Sequence, residues 1–75
     1  MNDQDKLRVL IPHWIEHNQE HAAEFERWAD AVELVSPEIR TAAETIQKAN
    51  LALTVALQKL GGPLADQEFH RHHHE

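Results

Sequence analysis

The sequence predicts an all-α protein: an antiparallel helical hairpin that pairs with a second copy as a homodimeric coiled coil or four-helix bundle. Three observations predict it. Helix-breaking residues are few, with adjacent glycines at Gly61 and Gly62 and prolines at Pro12, Pro37 and Pro63, each where a helix would start or stop. Ile39, Ile46, Leu53 and Leu60 recur every seven residues, with Ala42, Ala49 and Ala56 three positions on, which reads as a coiled-coil seam with small residues at alternate layers. Upstream, Ile11, Trp14, Ala22, Phe25, Trp28, Ala29 and Val32 fall on one broad helical stripe.

Taken in order, a short N-terminal helix is expected from Asp3 to about Leu10. Pro12 lacks a backbone donor, so a kink or break is expected near Ile11. The first long helix then runs from Pro12 to about Val35. In "SPEI", Ser36 can cap the second helix, Pro37 suits its first turn, and Glu38 complements the positive end of the dipole. "GGP" at 61–63 supplies a left-handed cap followed by a stop, so this helix spans about Pro37 to Leu60. A connection of one or two residues around Ser36 folds the helices back on each other. Leu51, Val55 and Leu57 add apolar surface on other faces, so one hairpin leaves a flank uncovered, and a second hairpin hides it. Trp14, Phe25 and Trp28 are the expected anchors of that contact. Residues 1–62 are expected to form a helical dimerisation domain, and 63–75 a flexible histidine-rich tail.

Composition narrows the classes. The chain has 75 residues and no cysteine, so disulfides and thiolate ligands are excluded. A single core of this size needs a metal or another chain. A formal charge of −6 does not suit nucleic acid, which needs a basic patch. No apolar run approaches the ~20 residues of a membrane span, and the N-terminus does not read as a secretory signal. A soluble, cytoplasmic protein is expected.

The chemistry lies in histidine. In "PHWIEHNQEH", His13, His17 and His21 are spaced four apart. Four residues turn a helix about 40° beyond a full turn and advance ~6 Å, so neighbouring rungs share a face and can chelate one ion. His13 and His21 are ~12 Å apart along the axis, too far for one helix to bring all three to one ion. Two first helices crossing antiparallel near His17 would bring His13 of one chain towards His21 of the other. Imidazole suits nickel, copper and zinc, and a site richer than four nitrogens suits six-coordinate nickel better than tetrahedral zinc. His70, His72, His73 and His74 form a second cluster suited to looser binding. "HWIEH" formally matches the inverted zinc-peptidase pattern with Glu16 as base, but that chemistry needs a further acidic ligand and a cleft, and no enzyme is expected. Glu16, Glu20 and Glu24 run beside the ladder as candidate acceptors for imidazole N–H groups; the plainer alternative is a solvated acidic row.

"HWIEHNQEH" has the form H-W-x-x-H-x-x-x-H. With a helical hairpin and a histidine-rich C-terminus, it resembles the CooJ family of nickel chaperones, accessory to carbon monoxide dehydrogenase. The resemblance implies a coiled-coil homodimer with a nickel site at its interface, associated here with His13, Trp14, His17 and His21. It also implies a histidine tail, here His70 and His72–His74. Four tail histidines are few for storage, which leaves delivery or sensing. The expected function is a non-enzymatic metallochaperone holding Ni(II), with Cu(II) or Zn(II) possible on chemistry alone, serving a nickel enzyme or its maturation factors. The alternative is a small helical dimerisation or adaptor module with incidental histidines.

Overall fold

The computed structural model describes residues 2–64, and these residues are all-α. Helix α1 spans Asp3–Ala31, a single 3-10 turn spans Glu33–Val35, and helix α2 spans Ser36–Lys59. The side chain of Asn2 opens α1 by accepting the Asp5 N–H at 2.8 Å, and Asp3 and Asp5 place negative charge in the first turn.

α1 runs unbroken through Pro12, so the separate N-terminal helix and the break expected near Ile11 are both corrected. The reason is a hydrogen bond. Pro12 cannot donate to the Arg8 carbonyl four residues earlier, and the N–H of Leu64, beyond the end of α2, donates to it instead at 3.3 Å. The Arg8 guanidinium completes the contact, donating from Nε to the Gly62 carbonyl at 2.7 Å and from Nη2 to the Gly61 carbonyl at 3.2 Å. A cation thus sits at the negative end of α2. Gly61 and Gly62 have φ of 105° and 90°. Their N–H groups donate to the Gln58 and Leu57 carbonyls at 3.0 and 2.9 Å, the paired bonds of a Schellman motif.

α1 also ends earlier than Val35. Val32 leaves the helical region at φ −124°, ψ 91°, so the reversal occupies Val32–Val35 rather than one or two residues. Ser36 has helical angles, φ −56°, ψ −46°, and lies inside α2. It is therefore not the cap: Val35 takes that position without a side-chain bond, and the Ser36 hydroxyl accepts from Arg40 Nε at 3.2 Å.

Contacts between the helices run in opposite chain order. Arg8 meets Gly61 and Gly62, Asn18 meets Asn50, and Glu26 and Asp30 meet Arg40. The seam register differs from expectation. Ile39, Ile46, Leu53 and Leu60 do face α1, but their partners in the heptad are Ala43, Asn50 and Leu57 rather than Ala42, Ala49 and Ala56. Ala43 is fully buried and Asn50 nearly so. Asn50 Nδ2 donates to the Ile15 carbonyl at 3.2 Å and its Oδ1 accepts from Asn18 Nδ2 at 2.9 Å. An amide with both ends satisfied inside a seam favours one alignment of the helices over its neighbours. The buried apolar residues are Val9, Ile11, Ala22, Ala29 and Ala43. Among the described residues no large side chain is fully enclosed: the hairpin has a seam but little core.

Candidate metal centre

The unbroken course of α1 positions the ladder. His17 and His21 are exposed, and their rings meet edge to face with centres 5.6 Å apart and planes at 79°. An ion bonded at ~2.1 Å to one nitrogen of each ring would leave the centres about 4.5–6.5 Å apart, so this pair needs only side-chain rotation to chelate. His21 also lies 6.4 Å from the Phe25 ring, centre to centre. Its Nδ1 is 3.9 Å from Glu24 Oε1, which sets one carboxylate of the acidic row beside a ladder imidazole. His13 is half-buried and turned about 40° further round the helix than His17. Among the described residues no three histidine or acidic side chains of one chain converge where an ion could sit. One chain therefore offers a chelating pair. His70, His72, His73 and His74 lie outside the described residues.

The surroundings of the pair are apolar. Leu10, Trp14, His17, His21 and Trp28 each precede by one residue a position of α1 that faces α2, namely Ile11, Ile15, Asn18, Ala22 and Ala29, which rotates them about 100° from α2. Ala42, Ala49 and Ala56 precede the seam positions of α2 in the same way. In helices of opposite direction these rotations bring both sets to one side of the hairpin. Trp14 is 43% exposed and Trp28 52%. Between the helices on this side, Phe25, Trp28, Glu38, Ile39 and Ala42 line an open groove of about 340 Å³. The opposite side carries charge: Arg40 donates to Glu26 at 2.7 Å and to Asp30 at 2.5 Å. Its pKa is raised, chiefly by the hydrogen bond to Asp30, with both carboxylate charges adding to the effect.

Sequence reasoning missed Arg8, Asn18, Asn50 and Leu64. Asn50 carried a signal, as an amide four residues after the seam position of Ile46 and within the apolar run of α2. The partnership of Arg8, Pro12 and Leu64 had none, since it joins opposite ends of the chain.

No helix among the described residues is long and apolar enough to cross a membrane. The family described as a domain of unknown function (DUF8180) matches residues 7–60, which include the whole ladder and the seam. The chain is also similar to an uncharacterized protein of Archaeoglobus fulgidus, at 36% identity over 61 residues, covering 76% of this chain and 98% of that one. No solved structure matches it.

Proposed function

We propose a nickel-carrying role for this chain, which belongs to the family described as a domain of unknown function (DUF8180). In this reading it is a cytoplasmic metallochaperone. Two copies pair through the face that bears the ladder, and His13, His17 and His21 hold Ni(II) at the interface. His70, His72, His73 and His74 capture the ion and pass it towards a nickel enzyme, such as carbon monoxide dehydrogenase, or its maturation factors. The observation that carries the reading is the His17–His21 pair, 5.6 Å apart and set among exposed tryptophans. An imidazole pair alone leaves coordination positions open on an octahedral ion, and a second copy brings the same nitrogens to fill them. The resemblance of His13-Trp14 through His21 to the CooJ motif supports nickel as the cargo.

Calorimetric nickel titration tests this. Saturable binding with fixed stoichiometry per dimer is expected, and His17→Ala should weaken it by roughly tenfold or more while light scattering still reports a dimer. Binding should also fade in acid, because a protonated imidazole cannot ligate. Titration heats that never saturate would rule the reading out. The second reading, a dimerisation or adaptor module with incidental histidines, draws on the same exposed tryptophans and predicts that absence of a stoichiometric site.

A further inference from the structure

We propose that a second copy docks antiparallel on this face about a two-fold axis between His17 and Asn18, seating its Leu7 and Leu10 in the groove of Phe25, Trp28, Ile39 and Ala42. The spacing of α1 carries the inference. From Leu7 the steps are three residues to Leu10 and four to Trp14; from His21 they are four to Phe25 and three to Trp28. The set reads the same from either end about the point between His17 and Asn18. An antiparallel copy therefore sets Leu7 against Trp28, Leu10 against Phe25 and Trp14 against His21, each pair occurring twice. That self-complementarity is what a two-fold interface requires.

The apolar residues concerned need cover. Leu7 is 36% exposed and Leu10 42%, while the groove that would receive them is open and lined by apolar side chains with a single carboxylate, Glu38. Lys6, beside Leu7, brings an ammonium towards that carboxylate. Ala42, Ala49 and Ala56 present little bulk, so a neighbouring helix can approach closely. From Leu7 to Trp28 the face is ~32 Å long and about two helices wide, on the order of 600 Å². This approaches the ~800 Å² that each partner gives to a stable interface.

The proposal rests on the self-pairing part of the functional reading but not on nickel. It differs by one residue from the register that sets His13 opposite His21. Here both His17 residues approach the axis, each His21 lies beside the other copy's Trp14, and His13 lies off the centre.

The full chain, free of cysteine, permits a clean test in EDTA. Leu7→Cys and Trp28→Cys chains, mixed and treated with a short thiol–thiol cross-linker, should give a covalent dimer, and Leu7→Cys alone should not. Leu10→Asp should weaken self-association roughly tenfold or more with helicity retained, whereas Leu51→Asp, on the other flank, should leave the dimer intact. A monomeric wild type, a dimer in which positions 7 and 28 do not cross-link, or a Leu10→Asp dimer as tight as wild type overturns the proposal. Because no metal is present, a lost cross-link and a lost nickel site are read separately.

Discussion

Asn50 shows how much a single side chain settles. Its amide is the polar group of the seam, held by the Ile15 carbonyl and by Asn18. Asn50→Ala removes both hydrogen bonds at once and deprives the Asn18 amide of its acceptor. We expect a loss of about 1–3 kcal/mol, read as a lower urea midpoint. Asn50→Leu should recover much of that stability by burying apolar area, yet loosen the choice of register; faster amide exchange along α2 despite an unchanged midpoint would report it. The histidines were legible at this scale because a four-residue period places them on a face whatever the tertiary structure. Their neighbours were partly legible: Trp14 and Trp28, singled out by size, are exposed on the flank that carries His17 and His21. Asn50 was hidden by the assumption that a seam is filled with apolar side chains.

At the scale of elements, α1 is a helix that should have been interrupted. Pro12 costs it one internal bond, and the segment after α2 supplies the replacement. Pro12→Ala gives position 12 an N–H that competes with Leu64 for the Arg8 carbonyl. The substitution should raise stability by about 1–3 kcal/mol through helix propensity and speed hydrogen exchange at the Leu64 amide. Unchanged exchange at Leu64 would show that its bond to Arg8 contributes nothing. Arg8→Ala acts at the same corner, uncovering the Gly61 and Gly62 carbonyls, and should lower the melting temperature. The second helix was readable almost to the residue because its punctuation, "SPE" and "GGP", is local. The span of α1 was misread because its decisive contact is not: the donor for Arg8 lies 56 residues away along the chain. The shift from Ala42, Ala49 and Ala56 to Ala43, Asn50 and Leu57 has a related origin. Both sets keep heptad spacing, and only the packing of α1 selects between them.

For the whole molecule, the seam closes one side of the hairpin and leaves two unlike flanks. One carries Arg40 with its carboxylates, and the other carries Trp14, His17, His21 and Trp28. Three of the five buried apolar side chains among the described residues are alanines, which leaves little core, so under the proposed pairing stability should rise with protein concentration as buried area is added. The all-α class was legible from composition and periodicity. What a sequence cannot display is which flank each residue joins, because that depends on the register of one helix against the other. The most direct test of the proposed role places nickel on the full chain with His70, His72, His73 and His74 all changed to asparagine and follows binding while the protein is diluted through the dissociation of the proposed dimer. A nickel-carrying dimer should hold stoichiometric nickel with imidazole scattering at the metal edge, and its affinity should collapse as the two copies separate. Nickel bound equally well by the monomer, or no nickel retained without the tail, would contradict it.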